Sequence, residues 1–201
     1  MSDEPLAARL TGRYPDPDAS PADFERFVAD LFRVAEPQVK SFSVVEHDVT
    51  LTPDGKYDLD TTIRFELLGA HFLVLVEAKM HKNPIKRDLV QILHQKIQSI
   101  GAHKGILVST SRFQAGAVQY ALSHGIALVK VTEGRFIYET RSREDSPPLS
   151  QEGARELEIP QLVGHHYHPG KGEGSIGVTL ISPEYPKYVL ELLAASDSDI
   201  D

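Results

Sequence analysis

The stretch YDLDTTIRFELLGAHFLVLVEAK, residues 57–79, decides the fold. It reads as two antiparallel strands, Tyr57 to about Leu67 and Phe72 to Lys79, joined by a tight turn at Leu68-Gly69-Ala70. The run Phe72-Leu73-Val74-Leu75-Val76 lacks the alternation of a half-buried strand, so the second strand is expected to lie centrally in a sheet with both faces covered. Upstream, residues 42–51 alternate and are rich in Val and Thr. The turn residues Pro53-Asp54-Gly55 then link that segment to residues 57–67 and complete a three-strand meander.

Helices are expected on either side of this meander. Ser20 suits an N-cap and Pro21 a first helical position, and Phe24, Phe27, Val28, Leu31 and Phe32 recur at helical spacing. A second helix is expected from the Asn83-Pro84 cap to Gly101, with Ile85, Leu89, Ile92, Leu93, Ile97 and Ile100 turned to the core. Gly105 to Val108 then reads as a short buried strand, Phe113 to His124 as a helix, and Ile126 to Val131 as another strand, which together form a βαβ unit. The predicted order through residue 131 is αβββαβαβ, an α/β fold with a mixed sheet.

The flanks differ in composition. Residues 1–19 are expected to form an irregular arm, and residues 141–158, polar and containing Pro147-Pro148, a linker. Residues 159–201 form a small α+β extension: a hairpin over 159–168 and 175–182, a helix from about Glu184 to Ala195, and an acidic tail.

The chain has 201 residues, 41% of them apolar and 25% charged, which is the composition of a globular protein. Cysteine is absent, which excludes disulfides and thiolate zinc sites. No secretory pattern and no apolar run long enough for a membrane span is present, so the expected location is cytoplasmic, away from membranes. The net charge of −8 argues against a polyanionic partner until it is divided along the chain. Residues 1–60 carry 6 basic and 13 acidic side chains, residues 61–140 carry 10 and 5, and residues 141–201 carry 5 and 11. The middle is therefore a basic island at +5, where Lys79, Lys82, Lys86, Arg87, Lys96 and Lys104 meet one acid, Asp88. An anionic partner would dock there.

Strand alternation places Glu77 and Lys79 on one face and Asp58 and Asp60 on one face of the adjoining strand. Carboxylate oxygens beside an ammonium suit Mg²⁺, with Mn²⁺ as a substitute, because hard cations take few protein carboxylates and keep waters for a phosphate substrate. Ion and lysine together would offset charge that builds on a phosphodiester at the transition state.

At these residues the chain resembles a known family. Tyr57-Asp58-Leu59-Asp60, Val76-Glu77-Ala78-Lys79, Ile100-Gly101-Ala102, Lys104-Gly105-Ile106 with Ser109 and Phe113, and Gly125-Ile126-Ala127-Leu128 are similar to the catalytic domain of Mrr-type restriction endonucleases, in the PD-(D/E)xK superfamily. The resemblance covers roughly residues 20–132 and assigns residues 20–140 to a nuclease domain of restriction endonuclease-like fold. It implies that Asp60 and Glu77 bind the metal with the carbonyl of Ala78, and that Lys79 positions the water that attacks a DNA phosphodiester. Asp58 is the alternative to Asp60, and Glu25 matches a first-helix acid that reaches the metal in relatives. Lys82, Lys86, Arg87, Lys96 and Lys104 are the expected DNA contacts.

The expected function is Mg²⁺-dependent endonucleolytic hydrolysis of DNA, in restriction of foreign DNA or in repair. Cutting both strands needs two active sites, which favours a homodimer, and target selection could come from the C-terminal segment, from loops or from a partner protein. The competing reading is a catalytically silent nucleic-acid-binding or scaffold module of the same fold, and an enzyme for junctions or RNA is a third. His165, His166 and His168 have no acid beside them, so a metal site is not expected there.

Overall fold

In the computed structural model, residues 20–35, 40–133, 151–157, 162–172, 175–182 and 186–194 are described. The elements are α1 (Pro21–Arg33), β1 (Lys40–Thr52), β2 (Gly55–Leu67), β3 (Ala70–Lys79), α2 (Arg87–Ile100), β4 (Lys104–Ser109), α3 (Ala115–Ser123) and β5 (Ile126–Glu133). They continue with α4 (Gln151–Glu156), β6 (Leu162–Pro169), β7 (Ile176–Ile181) and α5 (Pro186–Ala194). The expected αβββαβαβ order is present. The strands form one seven-stranded sheet in chain order, with β3, β4 and β5 parallel and every other neighbouring pair antiparallel.

Two apolar layers sandwich the sheet. On one side α1 (Phe24, Val28, Leu31, Phe32) and α5 (Val189, Leu192, Leu193) pack against Ile63, Val74, Val76, Ile106 and Val129. On the other, α2 (Val90, Leu93) and α3 (Ala117, Val118, Ala121) pack against Leu75, Leu107 and Leu128. Alternate residues of β3 and β4 thus enter opposite layers, which is why their sequences show no polar face.

Helix α1 starts as expected: the Asp23 N–H donates to Ser20 Oγ at 3.2 Å, and the Ser20 N–H donates back to Asp23 Oδ2 at 3.1 Å. This reciprocal box satisfies two of the orphan donors of the first turn. Helix α2 begins later than the Asn83-Pro84 signal predicts, with Lys86 at its cap and no side-chain capping bond. The reason is tertiary. Ile85 pairs with Phe113, its N–H donating to the Arg112 carbonyl and its own carbonyl accepting from the Gln114 N–H, both at 2.9 Å. That pairing commits residues 85 and 113 to extended backbone, and α3 accordingly starts at Ala115. Ile92, expected in the core, is 50% exposed.

The expected C-terminal hairpin joins the same sheet: β6 pairs along β5 from Leu128–Tyr167 to Glu133–Leu162, and β7 pairs with β6. Residues 151–156, within the expected linker, form α4. The arm at 1–19 and the acidic tail after residue 194 lie outside the described residues. No helix among the described residues is long and apolar enough to cross a membrane.

Candidate active site

The site lies where β2 and β3 part. Their pairing runs from Leu67–Ala70 to Thr61–Val76 and goes no further. Just beyond it, the Ala78 N–H donates to Asp60 Oδ2 at 2.8 Å. The Asp60 carboxylate thereby takes the place of a strand partner, and Ala78 escapes the cost of a buried unsatisfied donor. An extended residue presents N–H and C=O to the same neighbour, so the Ala78 carbonyl faces the same gap.

Lys79 links the two carboxylates, with Nζ 2.6 Å from Glu77 Oε1 and 3.6 Å from Asp60 Oδ2. Glu77 is nearly buried and carries a second cation: Lys96 Nζ, from α2, lies 2.8 Å from Oε2. Burial acts to raise the Glu77 pKa, but Lys79 and Lys96 outweigh it and hold the carboxyl below its usual range. Burial likewise acts to lower the Lys79 pKa, and Glu77 and Asp60 hold it above the ordinary lysine value instead. Lys79 is thus a charged donor at neutral pH.

Glu25, on α1, lies in electrostatic range of this cluster. Its carboxyl is pushed up by burial and then by the Asp60 carboxylate, against the opposing charges of His47 and Lys79. His47 Nδ1 stands 3.9 Å from Glu25 Oε2. His47 also has φ +51° and sits between Glu46, which pairs with Thr61, and Asp48, which pairs with Leu59, so β1 breaks its regular conformation opposite Asp60.

The alternation of β2 changes near this point. Leu59 and Ile63 have the same parity, yet Leu59 packs with the α2 layer and Ile63 with the α1 layer. Alternation therefore shifts between Leu59 and Ile63, whereas Tyr57 and Leu59 still share the α2 layer. The Asp58 side chain is 77% exposed and stands 3.4 Å from Lys56 Nζ, outside the cluster.

The basic residues also separate. Lys82, Lys86 and Arg87 are exposed on the segment that follows β3, at the site end of the sheet. The Arg87 guanidinium lies 4.9 Å from the Tyr120 ring centroid. Lys96 turns inward to Glu77. Lys104 pairs opposite Val74, whereas Ser109 pairs opposite Lys79. Lys104 therefore lies five residues from the site end of β4, roughly 16 Å away at strand rise. Ser109, Thr110 and Ser111 neither cap α3, whose cap residue is Gln114, nor stand free. The Thr110 hydroxyl accepts from the His81 N–H at 3.2 Å, Ser111 Oγ donates to the His81 carbonyl, and Ser109 Oγ accepts from the Ser111 N–H at 3.0 Å. These bonds fasten the segment after Lys79 to the one after β4.

Among the described residues, no group of three or more His, Cys, Asp or Glu side chains is placed to hold a metal ion. His165 meets Thr132 Oγ1 at 3.0 Å, and His168 meets Thr179 Oγ1 at 3.1 Å and the Pro169 carbonyl at 2.8 Å. The donor set of Asp60, Glu77 and the Ala78 carbonyl nevertheless fits a hard divalent ion, which needs only one or two carboxylates. A cation, the Lys79 ammonium, already bridges the two carboxylates.

The sequence matches the family described as restriction endonuclease, Mrr_cat, over residues 18–133. The chain belongs to the Mrr-type restriction endonuclease family. Solved structures similar to it include these three. A protein of unknown function, AF1548, is 18% identical with a TM-score of 0.44, over 54% of this chain and 57% of that one. The DNA modification-dependent restriction endonuclease AspBHI is 24% identical with a TM-score of 0.41, over 61% of this chain and 31% of its own. The MspJI restriction endonuclease, in complex with a 27-mer oligonucleotide, is 20% identical with a TM-score of 0.40, over 64% and 30%. The chain thus spans between 30% and 57% of the length of these proteins. Comparison with curated proteins gives no match.

Proposed function

We propose that this chain is a Mg²⁺-dependent endonuclease that hydrolyses DNA phosphodiester bonds, in restriction of foreign DNA or in repair. The observation that carries the reading is the convergence of Asp60, Glu77 and Lys79 at the parted ends of β2 and β3, in a chain of this family. Asp60, Glu77 and the Ala78 carbonyl would hold the ion. When bound, it supplies Lewis acidity toward a phosphate oxygen and lowers the pKa of water.

The chain's own groups do the rest. Lys79 remains protonated, so it acts as a hydrogen-bond donor that orients water and offsets charge on the phosphate, and not as the base. Glu25, its carboxyl pushed up by burial and then by the Asp60 carboxylate, lies in electrostatic range of the same groups. Lys82, Lys86 and Arg87 offer cations beside the site for backbone phosphates, a contact that positions DNA without reading sequence. Two such sites, in a homodimer or with a partner protein that supplies target recognition, would cut both strands.

The test is cleavage of supercoiled plasmid with Mg²⁺, with Mn²⁺ and with EDTA, comparing the wild type with Asp60→Asn and Lys79→Met. Cleavage by the wild type with either ion, lost in both variants and in EDTA, is the expected outcome. Cleavage in EDTA, or variants as active as the wild type, would overturn it.

A further inference from the structure

Glu77 is a nearly buried carboxylate with a cation on each oxygen, Lys79 on Oε1 and Lys96 on Oε2. The two lysines differ in origin and in freedom. Lys79 follows Glu77 on its own strand and also faces Asp60. Lys96 comes from the middle of α2 and is the more buried, its side chain 17% exposed against 25% for Lys79. Helix packing fixes it: Val90 and Leu93 are buried against the sheet, and Ile97 packs with the same layer, so the backbone that carries Lys96 cannot withdraw without opening the core.

With one cation alone, Lys79 would be tied to Glu77. Drawing it toward a phosphate or water would leave a buried unpaired carboxylate, which is strongly unfavourable. With Lys96 on the other oxygen, Lys79 can turn to substrate while Glu77 keeps a partner and its orientation. We infer that Lys96 is a positioning residue that holds the Glu77 carboxylate aimed at the metal position and releases Lys79 for its work on the phosphodiester. This rests on the nuclease reading above, and it removes Lys96 from the set of DNA contacts.

Charge and position make opposite predictions. Deleting a cation beside a cation site strengthens metal binding if only Coulomb attraction matters. Losing the group that orients a ligand weakens binding, typically about 10-fold or more. Mn²⁺ binding to the DNA-free protein, followed by loss of the free-ion paramagnetic resonance signal, separates the two without any turnover. Lys96→Met should raise the dissociation constant about 10-fold, Lys96→Arg should restore it to within about threefold, and thermal unfolding should show both variants folded. Lys96→Gln replaces Lys96→Met if the latter does not fold.

In parallel, plasmid cleavage by Lys96→Met should fall while duplex binding in Ca²⁺ stays within about twofold of wild type. Equal or tighter Mn²⁺ binding by Lys96→Met overturns the inference, as does a loss of duplex binding that matches the loss of cleavage, which would make Lys96 a phosphate contact. A wild-type protein that binds Mn²⁺ but cuts no DNA overturns the nuclease reading and leaves the positioning role to the Mn²⁺ result. A wild type that binds no Mn²⁺ overturns both.

Discussion

Asp60 Oδ2 accepts the backbone N–H of Ala78 at 2.8 Å, so one carboxylate both ends the β2–β3 ladder and faces the candidate metal position. Structure and chemistry can be separated at this residue. Asp60→Asn keeps an acceptor for Ala78 and should retain stability while cleavage is lost. Asp60→Ala should lose cleavage and also cost about 1–3 kcal/mol in denaturant unfolding, because it orphans a buried donor. Asp58→Asn, at an exposed position, should change stability by no more than about 0.5 kcal/mol and leave cleavage unchanged.

Lys79→Met should lower the cleavage rate by about 100-fold or more, the usual effect of removing one donor that stabilises transition-state charge. Duplex binding in Ca²⁺ should change far less. Equal losses in binding and in rate would show that Lys79 acts in the ground state, and single-turnover kinetics reads the difference.

The β6–β7 hairpin is part of the core, and Gly164 tests that. A Cβ at this position would lie 2.5 Å from Ile181 Cγ1 and 2.9 Å from Val129 Cγ1, both in fully buried side chains. Gly164→Ala should destabilise the protein by about 1–3 kcal/mol through overpacking. The cost should shrink in an Ile181→Ala background, since residues in contact are not additive. If the hairpin were an independent appendage, Gly164→Ala would leave the main thermal transition in place.

Acid should weaken the fold through His166. Burial, then Lys104 and His168, push its pKa down to about 4, below the ordinary value near 6.5. The unfolded chain therefore binds a proton between these values and the folded one does not. Stability is complete above about pH 6.5 and falls as pH drops toward 4, by up to about 3 kcal/mol. His166→Asn should lose less of its melting temperature between pH 7 and pH 5 than the wild type does, and an equal loss would contradict this assignment.

The element order and the pairing of Glu77 with Lys79 were legible in the sequence because both rest on local rules. Hydrophobic runs bounded by turn residues define strands, and two residues apart on one regular strand share a face. The start of α2 was misplaced because the Asn83-Pro84 capping signal competes with the Ile85–Phe113 bridge, which spans two loops. Asp58 and Asp60 were not separable by spacing because alternation gives both one face, and what sets Asp58 apart is its exposure beside Lys56.

By itself the sequence determined the α/β class, a central strand covered on both faces, and Glu77 with Lys79 on one strand face, with Asp58 and Asp60 both open as their partner, since periodicity and spacing act within a few residues. Only the tertiary structure decided that Asp60 and not Asp58 meets Lys79, that Lys96 turns to Glu77 while Lys104 lies at the other end of β4, and that the C-terminal hairpin extends the sheet. Charge along the chain located a basic region but not its direction. A lysine on a helix is aimed by how that helix packs, and packing is settled by Leu93, Ile97 and the sheet beneath them.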